Sequence, residues 1–266
     1  MGVAEEDSAV LLVSLSLYAS ALVSSGTPAQ GVDYLKRSEV RLYRWPQGLV
    51  VSFEAQTDVL APMILAMKRD LAKQPDAEAS RLVAALERLS VHGTIDTTSG
   101  ATTADVRIDF TSSDPRTVSA LEEIRRRVKL TITGCFQGVP LQDPALLHPG
   151  STVTACEESA DAIVVTITGG SAGASTRVSL ARASLLPEKI ETEAFVGRYR
   201  FEESFPGRFA PSQLDLSPRG GTDSRAEYSY QKQGELLFPA TVKVTSGSQH
   251  ATITFRSLTL GKRAPS

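Results

Sequence analysis

One short segment of the sequence has the residue types and spacing of a hydrolytic nucleophile. Residues 169–173 read GGSAG, which matches the G-x-S-x-G pattern of a nucleophile elbow centred on Ser171. Such an elbow needs a strand before the serine and a helix after it. The residues that follow, 175–180, have the character of another strand, and the glycines suit a hairpin loop. The motif therefore predicts a turn, and a serine hydrolase stays a remote alternative.

The histidines and cysteines do not form a recognisable metal or catalytic pattern. His92, His148 and His250 have neither the H-x-x-x-H nor the H-E-x-x-H spacing that places two ligands on one helix face. Two cysteines alone do not complete a four-ligand zinc site. P-loop, dinucleotide-binding and EF-hand patterns are also absent from the sequence. We therefore expect no cofactor, no metal and no enzymatic activity.

Two charged runs are best interpreted as solvated surface. Residues 125–127 are three arginines followed by Lys129, a pattern to which an anionic lipid or phosphate could dock. Glu122 and Glu123 lie three to four residues upstream, the spacing of helical ion pairs, so an exposed helix face is the preferred interpretation. The acids within residues 157–161 are explained by a hairpin turn without a metal ion.

The N-terminus and the two cysteines bear on the compartment. Residues 9–23 are mostly apolar, and residues 19–21 have the A-x-A shape of a signal-peptide cleavage site, although residues 5–7 are acidic where positive charge is expected. The sequence predicts export, with a disordered or helical tail as the alternative. In an exported protein Cys135 and Cys156 would form a disulfide, whereas in a reducing compartment they would be two buried thiols.

The composition is that of a folded domain. The chain has 266 residues, of which 41% are hydrophobic and 22% are charged, and its formal net charge is -2. This composition excludes a disordered chain and argues against a nucleic-acid partner. No apolar stretch is comfortably long enough for a transmembrane span. We predict a single domain over residues 31–266, after a signal peptide or disordered tail over residues 1–30.

Three segments have the spacing of amphipathic helices. They lie near residues 57–73, 76–91 and 114–133, and the second and third each begin at an aspartate that can cap a helix. Each apolar stripe must pack on another element. The stripe of the first helix consists of Leu60, Ile64, Met67 and Leu71.

The remaining segments have the pattern of short β-strands. Residues 40–55 are predicted to form a hairpin with a turn at residues 46–48, and residues 92–110 contain further extended runs. From Ser151 onward, short strands separated by turns rich in glycine and proline follow one another, which is typical of an antiparallel meander. No βαβ rhythm is present, so a parallel nucleotide-binding sheet is not expected. The predicted fold class is α+β.

The C-terminal half of the sequence resembles a known family. Residues 228–244, YSYQKQGELLFPATVKV, are similar to the final strands of the periplasmic lipoprotein carriers and their lipid-binding relatives, where a turn leads through a proline into an alternating strand. Residues 185–191, LLPEKIE, resemble an earlier strand junction of those proteins. The resemblance implies a strongly curved antiparallel sheet, a half-barrel meander, whose concave face is covered by about three helices. It transfers no functional residue to this sequence.

The leading hypothesis is a periplasmic or secreted carrier that binds a lipid or a lipoprotein acyl chain between sheet and helices. The alternative is a structural or interaction protein of the cell envelope, with a filled core, no ligand and an envelope protein as its partner. The predicted ligand-binding side chains are Leu60, Ile64, Met67, Leu71, Phe201, Tyr230 and Phe255.

Overall fold

The computed structural model describes residues 24–136, 146–147, 150–169 and 175–262. The signal-peptide prediction for residues 9–23 lies outside the described residues. Ser171 and His148 lie outside them as well.

The described chain contains four helices and thirteen strands. The helices are α1 (Pro28–Arg41), α2 (Ala61–Lys73), α3 (Ala77–Glu87) and α4 (Pro115–Gly134). The strands are β1 (Ser24–Gly26), β2 (Leu49–Thr57), β3 (Ser90–Asp96), β4 (Thr102–Arg107), β5 (Ser151–Glu158), β6 (Ala162–Gly169), β7 (Ser175–Ala181), β8 (Pro187–Glu191), β9 (Phe195–Phe205), β10 (Arg208–Pro218), β11 (Ser224–Gln233), β12 (Leu236–Ser246) and β13 (Gln249–Lys262).

All thirteen strands belong to one open antiparallel sheet. Their order is β1-β5-β6-β7-β8-β9-β10-β11-β12-β13-β2-β3-β4, so β5 to β13 form an unbroken meander and β1 and β4 are the edges. The pairing of β13 with β2 brings the N-terminal strands beside the C-terminal strand. The predicted combination of helices with an antiparallel meander is confirmed.

Helix α1 was not predicted, and the first strand of the predicted hairpin over residues 40–55 is wrong. Thr27 caps α1 in a reciprocal capping box with Gln30, and the helix continues through Arg41. Tyr43 and Trp45 then alternate like strand residues because both reach Leu237 at the start of β12. The Leu237 amide donates to the Tyr43 hydroxyl at 2.7 Å, and the Trp45 indole N–H donates to the Leu237 carbonyl at 2.7 Å.

The other three helices lie where their spacing predicts them. α2 and α3 share the predicted break before Asp76, whose carboxylate accepts from the Ala79 amide. Asp114 caps α4 in the same way. His92 lies on β3, in agreement with the extended runs predicted for residues 92–110, and its ring is 3.7 Å from the carboxylate of Glu54 on β2.

One face of the sheet carries nearly all the buried side chains. Directly paired residues of antiparallel strands lie on the same face, and so do residues two apart on one strand. Two rows of directly paired residues cross the sheet. One row ends at Gly197 and the other begins at Tyr199, and these residues are two apart on β9, so both rows lie on this face. The rows are Cys156, Val165, Val178, Ile190 and Gly197, and then Tyr199, Leu214, Ala226, Val244 and Ala251.

The helices divide this face into two hydrophobic cores. Leu35 of α1 packs with strands β5 to β7 in the smaller core. Helices α2, α3 and α4 pack in the larger core with strands β2 to β4 and β10 to β13. Gly31 allows α1 to approach the sheet closely, because a Cβ there would lie 2.9 Å from a methyl group of Val153.

Five aromatic rings fill the centre of the larger core. Eight pairs among them have centroids 5.3 to 6.2 Å apart, the range of favourable aromatic contacts. Gly93 on β3 makes room for one of the rings, since a Cβ at that position would lie 2.2 Å from Cζ of Phe53. The rings belong to Trp45, Phe53, Phe136, Phe238 and Phe255.

We expect Gly93→Ala to lower the free energy of unfolding by about 1–3 kcal/mol, the usual cost of overpacking a core. Gly134→Ala is the matched control, because nothing lies within 4 Å of a Cβ at the end of α4. It should leave stability unchanged or raise it slightly. Denaturant unfolding measures both values. Equal stabilities for the two variants would contradict the described packing of Phe53 on Gly93.

Candidate functional site

The structure brings some of the predicted ligand-binding residues together. Leu60 and Phe255 are buried in the larger core, and Ile64, Met67 and Tyr230 pack against it half-buried. Leu71 and Phe201 do not belong to this core. Phe201 lies half-buried on β9, where its ring stacks on Tyr199 with the centroids 6.1 Å apart.

The aromatic rings occupy the space at the centre of the predicted site. Phe255 contacts Phe53, Phe136 and Phe238, with centroids 5.3 to 5.5 Å away, and its side chain is only 3% exposed. Tyr230 has a similar structural role, because its hydroxyl donates to the Pro211 carbonyl. Other core side chains therefore surround the Phe255 ring, and it does not line either of the two pockets described below.

Helix α2 is the most loosely held cover of the larger core. It contains no buried residue, although Ile64 and Met67 face the core half-buried. Leu65 is 51% exposed. A 2.5 Å ion pair between Lys68 and Glu87 joins α2 to α3 at the surface. Few buried contacts are the physical sign of an element that opens at low free-energy cost.

A pocket of about 830 Å³ lies between α2, α4 and the ends of β12 and β13. This volume is within the range of small-molecule sites, about 300–1,000 Å³. β12 starts beside Tyr43 and Trp45 and ends at the pocket, so the pocket lies roughly 30 Å along that strand from Leu237. The apolar wall is formed by Val59, Leu60, Met63, Ile124, Val244 and Ala251.

A second apolar pocket lies on the other side of α2. It has a volume of about 480 Å³ and is lined by α2 and α3, with Leu86 and Leu89 on its wall. Leu60 lines both pockets and separates them. Of the seven predicted ligand-binding residues, Leu60 lines both of these pockets and Ile64 lines the second.

Polar groups surround one side of the first pocket. Arg127 on α4 donates to the side-chain carbonyl of Gln249 on β13 at 3.3 Å. Glu123, one turn earlier, accepts two bonds from Arg126 at 2.6 and 2.8 Å. The hydrogen bond from Arg126 is the main reason that the pKa of Glu123 lies below its ordinary value. The other polar residues on the lining include Thr131, Ser246, Ser248 and His250.

Arg127 was treated in the sequence as part of an exposed basic run. The structure confirms that Arg126 and Arg127 are exposed, and Arg125 and Arg126 pair with Glu122 and Glu123. Arg127 differs because it makes no ion pair with any carboxylate in the part of the chain that the structure describes. A usable signal was its spacing: Ile124, Arg127 and Thr131 recur three and four residues apart, so they share one stripe of α4.

The structure shows the two cysteines as buried free thiols, which is the second of the two alternatives. Cys135 follows α4 in the larger core, and Cys156 lies on β5 in the smaller core. The two thiols lie in separate cores and are not paired in this structure, and the disulfide stays a prediction that alkylation can test. Burial raises the pKa of the Cys135 thiol to about 12. Burial also raises the pKa of Cys156, and the charges of Glu158 and Glu157 add to the effect.

Across residues 24–136, 146–147, 150–169 and 175–262, no three metal-ligating side chains lie close enough together to hold an ion. Over the same residues, no helix is both long and apolar enough to cross a bilayer.

Comparisons with known proteins yield one weak likeness. The sequence matches no protein-family model and no curated protein. One solved structure is similar, that of a domain from Vibrio parahaemolyticus described as an outer membrane lipoprotein-sorting protein domain. The likeness covers 88% of this chain and 93% of that chain, at 10% sequence identity and a TM-score of 0.24. It is a weak resemblance at the level of the fold.

We expect both cysteines to resist alkylation in the folded protein and to react in denaturant without a reductant. Mass spectrometry after iodoacetamide treatment should show no adduct in the first case and two in the second. The variant Cys156→Ser isolates Cys135. With a pKa of about 12, this thiol stays protonated as the pH rises from 8 to 10, so its alkylation should remain slow while an ordinary thiol accelerates. A chain that takes up no adduct until it is reduced would contain the disulfide.

Proposed function

We propose that this protein is a non-enzymatic carrier that binds the acyl chain of a lipid or lipoprotein in the pocket between α2, α4 and the ends of β12 and β13. The observation that carries the proposal is the pocket itself. Its volume of about 830 Å³ is large enough for a small ligand, and its wall is formed by aliphatic side chains next to a polar rim. A hydrocarbon chain suits such a wall because it gains the hydrophobic free energy of burial without needing polar partners.

The position of the pocket supports an acyl chain over a compact ligand. One wall is the edge of a packed core, whereas the other is α2, which has no buried residue. Behind α2 lies the second pocket, separated from the first by Leu60. A shift of α2 would therefore lengthen the apolar space without disturbing the aromatic rings. Long chains need such an extended space.

Export to the periplasm or the cell surface belongs to the same proposal. It rests on the apolar segment 9–23 and the A-x-A pattern at residues 19–21 within that segment. A lipid carrier is useful where acyl chains must cross water between membranes. N-terminal sequencing of the protein recovered from the cell envelope tests this part, and an intact residue 1 would contradict it.

A second candidate function is that of a structural or interaction protein of the envelope. The five aromatic rings favour it, because they fill the core that a half-barrel carrier would leave open. In that case the pocket would be a surface hollow with no resident ligand. The two functions differ in whether the pocket is occupied when the protein is isolated from its own cells.

We expect Ile124→Trp to abolish or strongly weaken binding of an acyl probe, since Ile124 lies on the pocket wall and an indole would fill the space. Fluorescence titration with a dansyl-labelled undecanoate measures the affinity, and a loss of at least about tenfold corresponds to roughly 1.4 kcal/mol. Leu130→Trp is the matched control on the same helix, because Leu130 is 57% exposed and away from the pocket.

Native mass spectrometry of the protein from its own envelope supplies the second measurement. A bound mass of lipid size in the unmodified protein and its absence in Ile124→Trp would support the carrier. The carrier would be excluded by a ligand-free mass in repeated preparations together with equal probe binding by both tryptophan variants, and the structural alternative would then stand.

A further inference from the structure

We infer that the pocket selects a single-chain amphiphile whose headgroup is a carboxylate, bound by Arg127. This inference rests on the proposed function, because it needs the pocket to hold an acyl chain. It adds the class of headgroup and names the residue that recognises it.

The pocket lining carries one positive and one negative side chain, and only the negative one is hydrogen-bonded to an opposite charge. Two charged side chains belong to the lining, Glu123 and Arg127. Both carboxylate oxygens of Glu123 already accept from the guanidinium of Arg126, at 2.6 and 2.8 Å. The carboxylate of Glu123 is therefore hydrogen-bonded outside the pocket. The charge of Arg127 also contributes to lowering the pKa of Glu123, but the hydrogen-bond donors of Arg127 are not used by that carboxylate and stay available to a ligand.

Arg127 has more hydrogen-bond donors than the one that the structure shows in use. A guanidinium has five N–H donors. In the described structure one donor of Arg127 reaches a neutral acceptor, the side-chain carbonyl of Gln249, at 3.3 Å. That separation exceeds the usual 2.9–3.0 Å, so the bond is weak and can be exchanged for a charged acceptor. The guanidinium fork matches the two oxygens of a carboxylate, which forms shorter and stronger bonds.

The apolar wall of the pocket begins directly beside Arg127. Ile124 is one turn before Arg127 on the same stripe of α4, and it belongs to the apolar wall. On the opposite side of the pocket, the apolar surface continues through Met63 of α2 and Leu60, which directly precedes α2. A ligand with its carboxylate on Arg127 therefore has its hydrocarbon chain directed along Ile124 towards α2. Headgroup and chain each meet the surface that matches their chemistry.

A single guanidinium also limits the charge of the headgroup. One positive charge balances one carboxylate, whereas a phosphate monoester carries nearly two negative charges at neutral pH. The serine hydroxyls of Ser246 and Ser248 lie on the same lining and can donate to an oxygen of the headgroup. They add hydrogen bonds without adding charge, so a monoanion remains the best match.

The test compares amphiphiles that share one twelve-carbon chain: dodecanoate, dodecyl phosphate and the neutral dodecanol. Isothermal titration calorimetry below the micelle concentrations gives the affinity of each for the unmodified protein, Arg127→Gln and Lys129→Gln. Lys129→Gln is the matched control, since it removes the same charge from the same helix at a residue that is not on the pocket lining.

We expect dodecanoate to bind the unmodified protein about tenfold more tightly than dodecanol, and Arg127→Gln to remove this difference. Lys129→Gln should change the affinity for dodecanoate less than about twofold. Dodecanol should bind all three proteins equally, which also shows that Arg127→Gln is folded.

Other outcomes overturn the inference in distinguishable ways. Equal binding of dodecanoate and dodecanol by the unmodified protein would exclude headgroup selection and leave the acyl-chain site standing. Tighter binding of dodecyl phosphate than of dodecanoate would replace the carboxylate by a phosphate. Equal losses in Arg127→Gln and Lys129→Gln would reduce the effect to long-range charge. Binding of none of the three amphiphiles would exclude the proposed function together with the inference.

Discussion

The constraint on which the rest of this structure depends is the cover of one apolar sheet face. Thirteen strands about 4.8 Å apart span roughly 60 Å, and the described residues contain four helices to cover them. The helices do not cover the face in one continuous layer. The chain instead builds two cores, one under α1 and one under α2 to α4. Between them, Tyr199 and Phe201 on β9 stay half-buried.

The same shortage of cover determines where space for a ligand remains. The middle of the larger core is filled by five aromatic rings, which are held at one end of β12 by the hydrogen bonds of Tyr43 and Trp45 to Leu237. Packing this dense is costly to disturb. At the other end of β12 the cover is α2, which has no buried side chain. Both pockets consequently lie beside α2, the helix that has no buried side chain.

Local periodicity was sufficient to predict those parts of the fold whose apolar residues are large. It located α2, α3 and α4 and the meander from β5 to β13. It failed for α1, whose buried positions are Gly31, Leu35 and Ser38, because two small residues make no visible apolar stripe. The capping box of Thr27 and Gln30 was the remaining signal for that helix.

The sequence pattern could predict which residues face inward, but it could not predict which of them line a cavity. The sequence could identify inward-facing residues such as Leu60 and Phe255, but alternation is the same for a core and for a cavity wall. Which of them has a filled space beside it depends on rings from distant segments, such as Phe136 and Phe238. The spacing of Ile124 and Arg127 indicates a shared stripe of α4, but the different partners of Arg125, Arg126 and Arg127 are known only from the structure.

Helix α4 connects the core to the pocket and explains how one wall can be rigid while the other adapts. Leu121, Val128 and Ile132 are buried in the core, and the neighbouring stripe of the same helix presents Ile124 and Arg127 to the pocket. Arg127 and one residue of the apolar wall, Ile124, are therefore fixed by the packing that stabilises the fold. The opposite wall on α2 lacks such anchors. In the proposed carrier, α4 would therefore bind the headgroup, and α2 would accommodate hydrocarbon chains of different length.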